Sequence, residues 1–280
     1  MRIDAHQHYW KIERNDYGWL TPESGVLYRD YLPDDLHAHL ANNQINKTIV
    51  VQAAPTIPET EFLLALCERD ETIAGVVGWL DLEAEDFSMQ FERLAANPYF
   101  LGVRPMLQDV ADDRYILRPK VLTSLALLVD RAFPIDLLVM PRHLPNILTL
   151  LDKLPKLRGV IDHLAKPFIA SETLEPWKTH MQQIAQFPSI YCKLSGMVTE
   201  TKPNNWSYRN LIPYVQHVIR VFGAKRVMFG SDWPVCLLQA SYEEVHQALL
   251  DSLPQGLTNE ELQALFGHNA IDFYRLSIKG

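Results

Sequence analysis

Two histidines one residue apart, His6 and His8 on either side of Gln7, follow directly on Met1-Arg2-Ile3-Asp4-Ala5. On an extended strand, side chains two positions apart point to one face, so both imidazoles project together. Two neutral nitrogen bases converging on one point suit a metal ion or a carbonyl oxygen. The pair gains weight from Asp162-His163 and Ser231-Asp232, which end two later apolar runs in the same way. Each also has a plainer reading. His6 and His8 could be partly buried histidines bonded to backbone, and Asp162 could cap a helix that leaves His163 exposed. Ser231-Asp232 before Trp233-Pro234 fits a turn or cap with proline at the first helical position.

Eight β-rich runs are available to position these groups: Ile3 to His6, Lys47 to Ala53, Ile73 to Leu80, Phe100 to Arg104, Ile135 to Met140, Gly159 to His163, Ile190 to Leu194 and Arg226 to Gly230. They read as continuous apolar stretches, which suits a parallel sheet covered by helices. Between them lie segments of helical period. Val121, Leu122, Leu125, Leu128, Val129 and Ala132 share one face, and Leu211, Val215, Val218, Ile219 and Phe222 share another. Eight strand-helix alternations in a chain slightly above the usual ~250 residues predict a closed (β/α)₈ TIM barrel, with an open doubly wound sheet as the second choice. No linker or repeat divides residues 1–280, so one domain is expected. Trp10 to Asp35 reads as a long loop after the first strand, and Pro203 to Tyr208 as another after the seventh.

Composition excludes several classes. A formal charge of -8 with no basic block longer than a pair argues against a nucleic-acid partner. No apolar run reaches the roughly 18 residues that a membrane-spanning helix requires, and the N-terminus lacks a basic start followed by an apolar stretch, so a soluble cytoplasmic protein is expected. Cys67, Cys192 and Cys236 form an odd set without Cys-x-x-Cys spacing, which indicates neither a disulfide framework nor a structural zinc site. Oligomeric state leaves no signal.

In barrels the C-terminal strand ends converge on the active face. That rule gathers His6, His8, Arg104, His163, Lys193 and Asp232 at one mouth. Arg104 and Lys193 lie among apolar neighbours, so they either pair with internal carboxylates or, with Lys166, welcome hydroxyl-rich or anionic ligands. Tyr9, Trp10, Trp79 and Trp233 could form a flat wall against a sugar ring or belong to the core. Gln52 and Gln108 are potential hydroxyl partners.

Five strings together carry a family resemblance: Asp4-Ala5-His6-Gln7-His8-Tyr9-Trp10, Gly102-Val103-Arg104, Asp162-His163-Leu164-Ala165-Lys166-Pro167, Lys193-Leu194-Ser195-Gly196 and Phe229-Gly230-Ser231-Asp232-Trp233-Pro234. The chain resembles the amidohydrolase superfamily, in the amidohydrolase-related branch that contains sugar lactonases such as L-fuconolactonase and L-rhamnonolactonase, and their relative 2-pyrone-4,6-dicarboxylate lactonase. The likeness runs from residue 4 to Gly267-His268-Asn269-Ala270. It implies a barrel, a small-molecule sugar lactone as substrate and hydrolysis of a cyclic ester.

One departure stands out. Binuclear members of the superfamily use a bridging carboxylated lysine or carboxylate and a histidine at the end of strand five, whereas here that strand ends Leu138-Val139-Met140-Pro141 and His143 lies beyond the proline. This argues against two metals. One divalent metal, zinc first among the candidates, could be held by His6, His8 and Asp232 with water as fourth ligand, or the site could work without any. Lactone opening needs a base for water, charge stabilisation on the carbonyl oxygen and a proton for the departing ring oxygen. Asp232 is the expected base. His6, His8 and His163 are expected to hold the carbonyl oxygen directly or through a cation, with Arg104, Lys166, Lys193, Tyr9, Trp79 and Trp233 as substrate contacts. The alternatives are a metal-dependent decarboxylase on the same scaffold and a non-catalytic binding protein.

Overall fold

In the computed structural model, which describes residues 1–277, eight parallel strands pair in the order β1 to β8. They are β1 Ile3–Gln7, β2 Lys47–Val51, β3 Ile73–Gly78, β4 Phe100–Val103, β5 Ile135–Leu137, β6 Gly159–Ile161, β7 Ile190–Leu194 and β8 Val227–Phe229. Helices α1 Pro33–Asn42, α2 Ile57–Cys67, α3 Phe87–Ala95, α4 Pro119–Asp130, α5 Leu144–Lys153, α6 Trp177–Ile184, α7 Tyr208–Phe222 and α8 Tyr242–Ser252 alternate with them. Two short helices, α9 Asn259–Gln263 and α10 Asn269–Tyr274, follow. The fold is the expected (β/α)₈ barrel. The last three residues of the unit expected over 1–280 lie outside the described residues.

All eight expected strands form. The sequence places several of their ends two or three residues too far along, because the apolar run continues into the turn that follows the strand. Gly159 to His163, for example, is strand only to Ile161. The apolar faces of α4 and α7 are buried on the sheet, through Val121, Leu125 and Leu128 in one and Leu211, Val215 and Val218 in the other. Inside the barrel, Ile3, Ala5, Ile49, Val51, Val77 and Val160 pack with Phe273 and Tyr274 of α10. Among the described residues no helix is long and apolar enough to cross a membrane.

Trp10 to Asp35 is not an open loop. Trp10 pairs with Tyr31 through reciprocal backbone bonds of 3.0 Å each, and Trp10, Tyr17 and Tyr31 are buried against one another. Tyr17 and Tyr31 of this segment belong to the core.

The barrel closes where β1 meets the segment after β8. Asp232 N donates to His6 O at 2.8 Å, and His8 N donates to Trp233 O at 2.7 Å. Asp4, buried beside this seam, accepts from Ser231 N at 2.9 Å, His6 N at 3.1 Å and Tyr242 Oη at 3.0 Å. β1 shifts register between Asp4 and Gln7. The shift lets Ala5 face the barrel interior with His6, while Asp4 turns outward to α8.

Asp4→Ala would strand three buried donors at once, and each such loss costs about 1–3 kcal/mol before partial relaxation. A destabilisation of about 3 kcal/mol in urea unfolding is expected. A change below about 0.5 kcal/mol would show that the carboxylate does not hold the seam.

Candidate active site

The closed seam brings three imidazoles around one carboxylate oxygen. Asp232 Oδ1 lies 3.3 Å from His8 Nε2, 3.8 Å from His6 Nε2 and 3.9 Å from His163 Nε2. All four side chains are buried, and the His6 and His163 rings stand 4.4 Å apart between centroids. The sequence expectation that strands one, six and eight meet at a point therefore holds geometrically.

Unusual backbone aims these groups. His163, Leu164, Ala165 and Lys166 are four consecutive non-glycine residues in the left-handed region, with φ of 52°, 53°, 61° and 48°, and Asp232 has φ 58°. Such residues cost roughly 1–2 kcal/mol each and persist only where surrounding contacts impose them. Here Lys166 N bonds His163 O at 2.7 Å, and the buried Trp177 indole donates to Leu164 O at 2.6 Å. Asp162-His163 is thus a left-handed turn and not a helix cap. Its effect is to turn His163 into the lumen. Gly196 makes room for it, since a β-carbon there would sit 2.5 Å from His163 Nδ1 and 3.1 Å from Asp232 Oδ2.

Each imidazole has a partner on its rear nitrogen. His8 Nδ1 donates to the Val51 carbonyl at 2.7 Å, because a carbonyl can only accept. A neutral His8 therefore presents a bare Nε2 lone pair to the Asp232 carboxylate 3.3 Å away. Two acceptors at that distance require either a proton on the ring or a cation between them. His163 Nδ1 meets the Ser195 hydroxyl at 2.9 Å. His6 Nδ1 meets Lys193 Nζ at 3.3 Å, and its Nε2 is buried without a hydrogen-bond partner.

Burial, followed by the Lys193 charge, pushes the His6 pKa well below the ordinary histidine value of 6.5. His163 is pushed well below it too, by burial that outweighs the opposing pull of Asp232. Burial alone would raise Asp232, but His163, together with the bond and charge of His8, holds it below the ordinary 3.8. The resulting centre at neutral pH is an ionised carboxylate facing neutral His6 and His163.

His6, His8 and Asp232 offer ligand atoms that all lie within 4.8 Å of one another. The orphaned His6 Nε2 and the opposed lone pairs of His8 and Asp232 make this donor set suitable for a divalent cation. A second trio, His6, Asp136 and Asp162, also falls within 4.8 Å. Lys193 Nζ already fills it, bonding Asp136 Oδ2 and lying 3.2 Å from Asp162 Oδ1. His143, the residue beyond strand five, accepts from Met140 N at 3.0 Å in the turn before α5 and is in neither trio.

A cavity of about 260 Å³ opens over Asp232, His8 and His163. Arg104, Lys166 and Gln108 line it, Lys166 tethered to Glu200 at 2.9 Å. A roomier hollow of about 340 Å³ between the β6 and β7 loops holds none of these groups.

Four expected substrate contacts are placed elsewhere. Lys193 is fully buried and paired with acids, so the salt-bridge reading is the correct one. Tyr9 and Trp233 are buried in the core outside the barrel sheet, packed edge to face at 6.1 Å between ring centroids, and Trp79 lies outside the cavity lining. Gln52 instead exchanges bonds with Arg104, its amide donating to the Arg104 carbonyl at 3.1 Å. The aromatic wall is Trp19, fixed by its indole N–H on the Ala53 carbonyl at 2.8 Å and 41% exposed. A loop tryptophan gives no periodic signal. Asp136, by contrast, had one, since it is a carboxylate inside the apolar strand Ile135–Leu137.

Gly196→Ala forces a β-carbon into the His163 ring at a position with φ 57°. A loss of about 1–3 kcal/mol in chemical denaturation is expected. Unchanged stability would mean that the His163 turn has slack.

Comparison with known proteins gives consistent findings. The amidohydrolase family model matches residues 3–276. The chain is 40% identical over 278 residues to an L-fucono-1,5-lactonase of Burkholderia ambifaria, covering 98% of this chain and 96% of the other. It is 36% identical over 291 residues to an L-fucono-1,5-lactonase of Burkholderia multivorans, covering 99% and 96%. A crystal structure of an amidohydrolase from Burkholderia multivorans with bound zinc superposes with a TM-score of 0.93 at 36% identity, over 99% of both chains.

Proposed function

The chain belongs to the amidohydrolase family, and from that premise we propose that it is a hydrolase that opens an aldonolactone, the cyclic ester of a sugar acid, to the free aldonate. The observation that carries this reading is the set of three imidazole Nε2 atoms within 3.9 Å of one Asp232 oxygen. The name of the relatives at 40% and 36% identity supports the substrate class.

The roles follow from what each atom can do. Asp232, ionised and held low by its neighbours, takes a proton from a water that attacks the lactone carbonyl carbon. His6 and His163, neutral at pH 7, donate Nε2–H to the carbonyl oxygen as it gains charge. For His163 this tautomer is favoured when the Ser195 hydroxyl donates to Nδ1. The carbon–ring oxygen bond then breaks, and Asp232 returns its proton to the departing alkoxide. The new carboxylic acid ionises to solvent. Arg104 and Lys166 offer positive charge to hydroxyls and to the nascent carboxylate, and Trp19 offers a flat face to the ring.

A divalent metal, with zinc the natural first choice, would be held by His6, His8 and Asp232 and would supply Lewis acidity toward the carbonyl oxygen. Metal-free protein prepared by chelation and reloaded with zinc or manganese tests this directly, through a screen of aldonolactones that follows acid release. L-fucono-1,5-lactone belongs in that screen.

Asp232→Asn removes the base and should lower kcat by about 10³-fold with the far-UV spectrum unchanged. Turnover within tenfold of the parent would reassign the base. The pH profile gives a separate check. His6 and His163 stay neutral above their depressed pKa values, and Asp232 stays ionised above its own, so acid alone impairs the site. After subtraction of spontaneous hydrolysis, kcat/KM should be level from about pH 8 down to the ordinary histidine value of 6.5 and fall only below it. An acid limb with its midpoint at or above 6.5 would contradict the neutral assignment.

A further inference from the structure

We propose that Lys193 is a positioning residue that fixes the proton of His6 on Nε2, making His6 a hydrogen-bond donor toward the lumen and withholding its lone pair from a metal. The juxtaposition behind this is His6 Nδ1 facing Lys193 Nζ at 3.3 Å, between Asp136 and Asp162 in a fully buried cluster.

An ammonium has three N–H donors and no acceptor. Lys193 Nζ has three acceptors around it: Asp136 Oδ2, Asp162 Oδ1 at 3.2 Å and His6 Nδ1 at 3.3 Å. Asp162 Oδ1 also lies 3.3 Å from His6 Nδ1. The two neighbours of Nδ1 demand opposite tautomers, since Lys193 needs a bare Nδ1 and Asp162 would prefer Nδ1–H. Direction decides between them. The Lys193–His6 contact has hydrogen-bond geometry, whereas neither oxygen of Asp162 makes a directional hydrogen bond. The Nδ1 lone pair thus points at a donor, and a neutral imidazole with a bare Nδ1 carries its proton on Nε2.

Asp136 and Asp162 close around Lys193. Asp136 accepts from Tyr274 Oη at 2.8 and 2.9 Å as well as from Lys193, so it is used as a carboxylate. Asp162 has Arg104 Nη1 at 3.8 Å on its other side. Two buried acids are matched by two buried cations, and a neutral Lys193 would leave one acid unpaired.

His6 Nε2 is buried without a hydrogen-bond partner, 3.8 Å from Asp232 Oδ1. With a proton there, it is a ready donor for a developing oxyanion, and it can join His8 and Asp232 around a metal only when that proton moves to Nδ1. His8 is the opposite case, because its Val51 bond leaves Nε2 bare. The two members of the His-x-His pair are therefore not equivalent. The oxyanion role rests on the proposed hydrolysis, but the tautomer does not.

The test is long-range ¹H–¹⁵N spectroscopy of protein labelled at histidine, with the His6 signals assigned by their loss in His6→Gln. The parent should show a protonated Nε2 and a bare Nδ1, and Asp162→Asn should keep that pattern because Lys193 is still present. Lys193→Met should move the proton to Nδ1, toward Asp162, and raise zinc affinity at least about tenfold in competition with a chromogenic chelator. If Lys193→Met fails to fold, Lys193→Met combined with Asp136→Asn carries the same expectation. A parent with Nδ1–H, a proton that moves in Asp162→Asn, or a Lys193→Met protein with unchanged tautomer, whatever its zinc affinity, would each overturn the proposal. No lactone enters these measurements, so they stand apart from the substrate assignment.

Discussion

Closure of the barrel between its first and last strands is the constraint on which the rest of this structure depends. Two backbone bonds, Asp232 N to His6 O and His8 N to Trp233 O, tie together residues more than two hundred positions apart. Asp4 reinforces the tie by accepting from both sides of it. Because the tied residues are those of the candidate site, the position of Asp232 relative to the two imidazoles is set by backbone geometry and not by side-chain reach. A seam made of main-chain hydrogen bonds gives a rigidity that long flexible side chains cannot.

The lumen is organised around a second constraint, the neutralisation of charge among buried side chains. Asp136, Asp162, Lys193 and Arg104 balance one another beneath the histidines, and Tyr274 closes the group from below. Such a cluster stabilises a fold weakly, since desolvation cancels much of the attraction, and its value lies in orientation. It leaves His6 neutral and points its nitrogens. Above it, the left-handed residues 163 to 166 and 232 store strain where the side chains must converge. The barrel below supplies the packing that holds this strain in place.

Much of this is legible in the chain. Continuous apolar runs dictate buried parallel strands, and the polar residue ending each run marks the open face, which is why the sequence alone gathers His6, His8, His163, Arg104 and Asp232. What could not be read is direction. Tyr9 and Trp233 sit next in sequence to His8 and Asp232 but point to the opposite side of the sheet, into the packing beneath the helices. Lys193 has the composition of a ligand-binding cation, and only the three-dimensional proximity of Asp136 and Asp162 turns it into a buried partner. Trp19 lies in a segment whose turns obey no period, so nothing local announces its place over the cavity.

On the proposed reading, one carboxylate activates water and imidazoles receive the charge, in a cavity lined by Arg104, Lys166 and Trp19. The central claim of that reading is that Asp232 moves protons and forms no bond to carbon. Hydrolysis of an aldonolactone in ¹⁸O-labelled water with enzyme in excess, so that each molecule turns over once, tests it most directly. One labelled oxygen in the carboxylate of the aldonate and none in the peptide containing Asp232 is the predicted outcome. Label in the Asp232 carboxyl, or in the hydroxyl released from the ring, would contradict it.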